Sequence, residues 1–220
     1  MPRPARILGD DLHYHVILRC NNGEYLLKNE DDFQQFLSLL AEDQKRLSFK
    51  LYNYTLMHSH IHLMMSTHEG HFINEIMNDF CLRYARDFNK RNNRSGHLWK
   101  NRYRCKLILN DLHALACLRY QHLNPVKANI VSNLNEWTWS GYSYYAYGVS
   151  SPILTEHPTY IGLADSSSLR RIFYQKFLER PLSPMELQLF EKRNHAGSKR
   201  VQVAIQKLMI PLLQEVSGSL

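Results

Sequence analysis

The sequence predicts an α+β fold in which helices pack on an antiparallel sheet, followed by a short helical C-terminal appendage. Apolar and polar residues alternate in segments 12–19 and 49–56, which is typical of half-buried strands. Apolar residues recur at helical spacing in segments 33–47 and 73–88. Because these strands and helices alternate without the uniformly apolar strands of a parallel sheet, we expect an antiparallel sheet with helices packed on it.

The first predicted strand covers residues 12–19 and is followed by a turn at residues 21–23, which read Asn-Asn-Gly. Asparagine and glycine favour such turns because both tolerate unusual backbone angles. Asn29 or Asp31 can cap the next segment, an amphipathic helix that is predicted to extend to about Arg46. A helix therefore follows the first strand.

The second predicted strand, residues 49–56, leads through a tight connection at His58 and Ser59 into a strand that contains two further histidines. This arrangement predicts an antiparallel hairpin. A second helix is predicted from about residue 71 to residue 88, and the basic polar tract at residues 89–96 is predicted to be a loop.

Residues 97–109 mix aromatic and cationic side chains and are predicted to form a strand or extended ribbon. Bases stack on rings and phosphates bind cations, so this ribbon suits single-stranded nucleic acid, although an amphipathic strand with a solvated basic edge has the same pattern. Asn110 or Asp111 caps a third helix. We expect this helix to stop close to Asn124, because Pro125 disfavours helical geometry in the residue before it.

These elements predict a main domain over residues 1–148, a linker over residues 149–168 and a helical C-terminal extension over residues 169–220. The linker assignment follows from its Ser, Pro and Thr content. Three short helices are predicted in the extension, at residues 169–179, 184–193 and 199–213. This extension could reach duplex DNA or dock on the main domain.

The composition points to a polyanionic partner and to a cytoplasmic protein. The 220 residues include 27 Lys and Arg against 20 Asp and Glu, for a net charge of +7 before the 12 histidines are counted. The four cysteines lack the paired spacing of zinc ribbons and are expected to be reduced thiols. With 44% hydrophobic residues the chain can bury a core, yet it has neither a membrane-spanning run nor an apolar block of a signal peptide.

His60 and His62 are candidate metal ligands because they flank one apolar residue in a predicted strand. Successive strand side chains point to opposite faces, so both imidazoles lie on the same face and can chelate one ion. A pair of hydrogen-bonded histidines at a sheet surface is the structural alternative.

Three sequence blocks, taken in order, resemble the single-tyrosine transposases of the HUH endonuclease superfamily, particularly the REP-associated tyrosine transposases. The first is the His-apolar-His run that ends at Leu63, and the second is Gly-His-Leu-Trp-Lys-Asn-Arg-Tyr at residues 96–103. The third is Arg-Tyr-x-x-Leu-Asn-Pro-Val at residues 119–126, with the Trp-rich segment 137–142 behind it. The resemblance covers about residues 5–147 and implies a ferredoxin-like or RRM-like core.

The resemblance implies that His60 and His62 bind a divalent ion, that Tyr120 is the nucleophile and that Asn124 completes the metal site. Residues four apart share a helix face, so Tyr120 and Asn124 can approach the ion together. His122 is a competing third ligand. The chain departs from the family pattern before the histidines, where His58 could add a ligand or alter the turn. Such ligands are compatible with Mg²⁺ or Mn²⁺.

The implied function is metal-dependent cleavage and strand transfer of single-stranded or hairpin DNA through a 5′-phosphotyrosine. Relatives are monomers or homodimers, and no membrane partner is expected. One alternative is a domesticated protein that binds structured nucleic acid without turnover. Another is a metallohydrolase of small molecules, which the basic composition disfavours. Eight residues are predicted to contact DNA: Arg19, Asn21, Asn22, Arg102, Arg104, Lys106, Arg119 and Lys127.

Overall fold

The computed structural model describes residues 7–191 and 199–218. The strands of this part are β1 (His13–Arg19), β2 (Lys50–Leu56), β3 (His60–Ser66) and β4 (Arg104–Leu107). Its α-helices are α1 (Glu30–Arg46), α2 (Ile73–Arg91), α3 (Asp111–Lys127), α4 (Tyr142–Tyr147), α5 (Pro158–Ile161), α6 (Ser167–Leu178), α7 (Pro184–Glu191) and α8 (Lys199–Gly218). The last two residues predicted for the 184–193 helix lie outside the described residues.

The four strands form one sheet in the order β2-β3-β1-β4. β1 pairs antiparallel with β3 on one side and with β4 on the other. The register sets Val16 opposite Leu63, and both side chains are completely buried on one face of the sheet. Because side chains alternate along a strand, the histidines lie on the other face. The predicted antiparallel sheet with packed helices is confirmed.

Helices α1 and α2 pack against each other through aromatic side chains. The ring of Phe36 meets Phe80 edge-on with centroids 4.8 Å apart, and its centroid is 5.0 Å from that of Tyr84. Asn29 rather than Asp31 caps α1, because its side chain accepts a hydrogen bond from the backbone N–H of Asp32. The aromatic contacts and the cap thus stabilise the layer formed by α1 and α2.

The ribbon predicted over residues 97–109 is a strand only within β4. Its first part makes one isolated bridge, between Trp99 and Cys20. The indole N–H of Trp99 donates to the carbonyl of Cys81 at 3.0 Å, and its ring lies 5.8 Å from that of Tyr84. Because these contacts direct the segment toward α2, it does not continue along the sheet.

The chain divides into two compact units at boundaries other than the predicted ones. Among the described residues, 7–51 and 56–107 form one unit, whereas 52–55 and those from 108 onward form the other. In the second unit α3 contacts α7 and α8, and α4 contacts α6. The C-terminal helices therefore pack with α3, as in the alternative in which the extension docks on the main domain.

Residues 149–168, predicted to be a surface linker, contribute to the core of the second unit. Tyr160 in α5 is 1% exposed, and its hydroxyl donates to the carbonyl of Tyr145 at 2.7 Å. His157 is also buried and meets the ring of Tyr52 edge-on, with centroids 4.6 Å apart. Composition predicted an irregular connection here, but its aromatic residues anchor it.

Every helix in the described part of the chain is too short or too polar to cross a bilayer.

Candidate active site

β3 presents two imidazoles on one face of the sheet. His60 and His62 alternate with Ile61 and Leu63, which are fully buried on the opposite face. The centroids of the two imidazole rings are 5.1 Å apart, and the ring planes are inclined by 80°. Two nitrogen donors therefore lie side by side, as the alternation in the sequence predicts.

A third histidine, which the sequence analysis left without a role, contacts this pair. Nε2 of His15 on β1 lies 2.9 Å from Nδ1 of His62, and the two rings stack with centroids 5.2 Å apart. Nδ1 of His60 lies 3.2 Å from the hydroxyl of Ser59. Because both Nδ1 atoms have hydrogen-bond partners, Nε2 is the atom through which each ring can bind a metal ion. The signal in the sequence was the placement of His15 on a strand predicted to join the same sheet.

The chemistry of this donor pair fits a divalent cation. Imidazoles that hydrogen-bond through Nδ1 and bind the ion through Nε2 are common in metal sites. Among the described residues, no group of three or more His, Cys, Asp or Glu side chains could hold a metal ion. An ion on His60 and His62 would therefore need further oxygen ligands from an amide, from water or from a substrate phosphate, which suits Mg²⁺ or Mn²⁺.

His58, considered above as a further ligand, lies in the turn before β3, since that strand begins at His60. Its Nδ1 atom is 2.6 Å from the carbonyl oxygen of Leu27. Its ring lies 5.5 Å from that of Tyr25 and 5.7 Å from that of Phe33. These contacts give His58 a role in attaching the loop before α1 to the turn.

Helix α3 carries the predicted nucleophile Tyr120 and, one turn later, Asn124, and both side chains are 4% exposed. The ring of Tyr120 stacks on that of Phe190 in α7, with centroids 4.6 Å apart. Asn124 stays inside the helix, with its carbonyl accepting from the N–H of Ala128. The two side chains therefore keep the spacing that sets them on one helix face. They belong to the second unit, whereas His60 and His62 belong to the first.

The prediction that α3 stops close to Asn124 is wrong, because the helix continues through Pro125 to Lys127. Proline lacks the N–H that would bond the carbonyl four residues earlier, which is that of Gln121. The hydroxyl of Thr55 on β2 donates to this carbonyl at 3.1 Å. A side chain distant in sequence thus replaces the missing donor, so the proline does not end the helix.

His122, the competing third ligand, has a structural environment. Its Nδ1 lies 2.8 Å from the hydroxyl of Tyr174, and its Nε2 lies 2.8 Å from Oδ1 of Asn53. Burial lowers the pKa of His122 to about 3, so the ring is neutral. With both ring nitrogens engaged, His122 connects α3, α6 and β2 within the second unit and is a poor candidate for a metal ligand.

The prediction that Arg119 contacts DNA is wrong, because its side chain is buried, at 1% exposed. Its Nε atom donates to the Glu186 carboxylate at 2.9 Å. Its terminal nitrogens donate to the carbonyl oxygen of Phe177 in the last turn of α6 and to those of Arg180 and Pro181 beyond that helix. The guanidinium therefore links α3 to the C-terminal helices. A charge count along the sequence could not reveal an acidic partner 67 positions away.

The other residues that are predicted to contact DNA are at least partly exposed to solvent. Arg19, Asn22, Arg102 and Lys127 are exposed, and Asn21, Arg104 and Lys106 are half-exposed. The register sets Arg19 opposite His60, Arg104 opposite Ile17 and Lys106 opposite His15. Directly paired residues share a face, so three cations lie on the face that carries the histidines. This face of the first unit can attract phosphate groups.

Comparisons with known proteins indicate what this chain is similar to. A family model described as IS200-like transposase matches residues 9–121. A REP-associated tyrosine transposase whose structure was solved bound to a REP hairpin has a TM-score of 0.57 and 16% identity, and the match covers 71% of this chain and 93% of that one. A candidate transposase from Deinococcus radiodurans has a TM-score of 0.40 and 18% identity, over 51% of this chain and 91% of that one. A search of curated proteins found no significant match.

The family model covers more than half of the chain, from the residues before β1 into α3. The matched segment contains His60, His62 and Tyr120, and the solved REP-associated enzyme has the same fold at low identity. The chain therefore belongs to the family of IS200-like transposases.

Proposed function

We propose that this protein cleaves and rejoins single-stranded, hairpin-containing DNA in a metal-dependent reaction, with a 5′-phosphotyrosine at Tyr120 as the intermediate. The main support is the pair His60 and His62, held side by side on a cationic sheet face in a chain of the IS200-like transposase family. A hairpin substrate is suggested by the solved enzyme of similar fold, which was bound to a REP hairpin.

We assign His60, His62 and Asn124 to hold Mg²⁺ or Mn²⁺. When bound, such an ion polarises a non-bridging phosphate oxygen and offsets the charge that develops on the leaving 3′ oxygen. The stacked contact between His15 and His62 restricts the orientation of the His62 ring. The protein thereby reduces the ordering that metal binding would otherwise require.

Tyr120 performs the covalent step in this proposal. Its phenolic oxygen attacks phosphorus, the bond from phosphorus to the 3′ oxygen breaks, and the released strand ends in a 3′-hydroxyl after taking up a proton. A phenol has a reference pKa of about 10, so the hydroxyl must lose its proton during the attack. Because the phosphodiester energy is retained in the phosphotyrosine, a 3′-hydroxyl can reverse the step and join strands without ATP.

The cationic side chains hold the substrate in this proposal. Arg19, Arg104 and Lys106 share the sheet face of the histidines, so they can bind the phosphates that flank the scissile bond. Phosphate contacts fix the register of a nucleic acid without reading its bases. The cations therefore position the strand, and the hairpin structure supplies the selectivity.

The test is to incubate the full chain with Mn²⁺ and a hairpin oligonucleotide labelled at its 3′ end, and to run the mixture on a denaturing gel. We expect a labelled protein band that Tyr120→Phe abolishes and that Tyr147→Phe, at an exposed tyrosine, retains. His60→Ala and His62→Ala should lose the band and keep most of the DNA affinity. Cleavage without a protein-linked product, or a linked product that persists in Tyr120→Phe, would contradict the proposal.

The second candidate is a protein that binds structured nucleic acid without turnover. It is favoured by the environment of Tyr120, which is 4% exposed and stacked against Phe190. Tight hairpin binding, with no covalent product under varied metal ions and substrates, would support this candidate. Sedimentation of the same complexes would distinguish a monomer from a homodimer.

A further inference from the structure

His15 makes one of the most buried polar contacts in the first unit. Its side chain is 0% exposed and that of His62 is 2% exposed, so water does not compete for their hydrogen bond. The distance from His15 Nε2 to His62 Nδ1 is 2.9 Å, which is typical of a well-formed hydrogen bond. The rings are nearly parallel, with planes inclined by 29°. Two strands thus hold the two imidazoles in one relative orientation.

The chemistry of imidazole determines which ring donates in this contact. A neutral imidazole has one N–H and one nitrogen with a lone pair. A metal ion on His62 Nε2 needs the lone pair of that atom, so the proton of His62 must be on Nδ1. His62 Nδ1–H then donates to His15 Nε2, which must carry its own lone pair.

We infer that His15 is a positioning residue for His62: it accepts the Nδ1 proton and thereby fixes both the tautomer and the ring orientation that present Nε2 to a divalent ion. This inference rests on the metal-binding role proposed for His60 and His62. Carboxylates and backbone carbonyls usually accept this proton in metal sites. Here an imidazole does so, and it adds no negative charge next to the proposed metal site.

His15 is flanked by residues of both neighbouring strands. In the register, Met64 of β3 and Lys106 of β4 lie directly opposite His15. His62 is the imidazole partner of His15, whereas His13 on the same strand lies opposite Ser66. His13 shares the strand and the face with His15, so it provides a matched control position.

The experiment measures Mn²⁺ affinity of the full chain by titration followed with electron paramagnetic resonance, without DNA. His15→Gln carries an amide oxygen near the place of Nε2 and can still accept from His62. His15→Asn is too short to reach, and His15→Phe retains the ring volume without a nitrogen. We expect Asn and Phe to weaken Mn²⁺ binding by about 10- to 100-fold, as the loss of such partners does elsewhere. His15→Gln and His13→Phe should stay within about threefold of the parent affinity.

A second measurement needs no substitution at His15. Nitrogen-15 spectra of the metal-free protein, assigned with a His62→Gln variant, should show His62 as the Nδ1–H tautomer. The inference is overturned if His62 carries its proton on Nε2, if His15→Phe binds Mn²⁺ as tightly as the parent, or if His15→Gln and His15→Phe lose affinity equally.

The outcomes separate this inference from the proposed function. If the parent binds Mn²⁺ and His62→Ala abolishes binding while His15→Phe does not, only the positioning role fails. If the parent binds no Mn²⁺, the proposed metal site fails and the positioning role fails with it. Hairpin affinity measured without metal should be unchanged in His15→Gln and His15→Phe, because phosphate contacts dominate binding.

Discussion

Phe190 of α7 stacks on the ring of Tyr120 in α3, with centroids 4.6 Å apart and planes inclined by 21°. The contact ties the predicted nucleophile to a helix 70 residues further along the chain. Phe190 is also 6.0 Å from the ring of His113 at the start of α3. The C-terminal helices therefore form part of the environment of Tyr120, and substitutions in them can affect its exposure and packing.

Phe190→Ala should strongly destabilise the second unit. Phe190 is 2% exposed, and truncating a buried phenylalanine to alanine typically costs about 3–5 kcal/mol in the free energy of unfolding. The control is Ile161→Ala, because Ile161 is 47% exposed and should change stability by less than about 1 kcal/mol. Urea unfolding checks both values, and equal effects of the two substitutions would contradict the packing role of Phe190.

Arg119→Met should destabilise the protein because it leaves the buried Glu186 carboxylate without its partner, at a cost of about 3–5 kcal/mol. The double variant with Glu186→Leu should recover much of this loss, since no charge then stays buried. The matched control is Arg180→Met, which removes an ion pair with Glu215 whose side chains are 53% and 55% exposed. An Arg119→Met variant as stable as Arg180→Met would refute the structural assignment.

Thr55→Val should destabilise the protein, because the Thr55 hydroxyl bonds a carbonyl that Pro125 leaves without a backbone donor. The substitution keeps the shape of the side chain and leaves the Gln121 carbonyl without a donor, which costs about 1–3 kcal/mol. Pro125→Ala restores a backbone N–H that can reach this carbonyl. In the Pro125→Ala background, Thr55→Val should therefore cost less. A double-mutant cycle of unfolding free energies measures the difference. If the effects of Thr55→Val and Pro125→Ala are strictly additive, the Thr55 hydroxyl does not replace the missing backbone N–H.

The stability of the protein should depend on pH through His122. Burial lowers its pKa to about 3 in the folded protein, whereas an unfolded histidine has a pKa of about 6.5. The unfolded state thus binds more protons in this interval, so the free energy of unfolding falls as pH decreases from about 6.5 toward 3, by at most about 1.4 kcal/mol per unit. Urea unfolding at several pH values should show a weaker dependence in His122→Gln; an unchanged dependence would exclude this cause.

Arg19→Gln should weaken hairpin binding and its dependence on salt. When affinity is plotted against salt concentration on logarithmic axes, the slope is negative. Each lost phosphate contact makes this slope less steep by about 0.7–0.9. Arg19 is exposed and lies opposite His60 on the cationic face. Lys45→Gln removes the same charge from the last turn of α1 and serves as the control. Equal slopes for both variants would mean that net charge, and not this face, determines binding.

Local patterns in the sequence predicted most of the elements of the site. The alternation around His60 and His62 predicted β3 and their common face, because side-chain direction on a strand depends only on position. The spacing of Tyr120 and Asn124 similarly predicted a shared helix face. The role of His15 was missed, because strand alternation does not determine which strands become neighbours.

Two of the incorrect predictions concern residues whose partners are distant in the chain. Pro125 does not end α3, because the hydroxyl of Thr55 bonds the carbonyl that proline leaves without a donor. Arg119 does not face solvent, because Glu186 and three carbonyl oxygens surround it. Neither partner could be inferred from neighbours in sequence.

The sequence by itself determined the alternation of strands and helices from β1 to α3, the positive charge and the residue types of the candidate site, since these follow from local periodicity and from composition. Only the tertiary structure decided that His15 contacts His62, that Phe190 stacks on Tyr120 and that Arg119 is buried. The physical reason is that hydrogen bonds and ring contacts depend on distances in space, which are decided by the pairing of strands and the packing of helices.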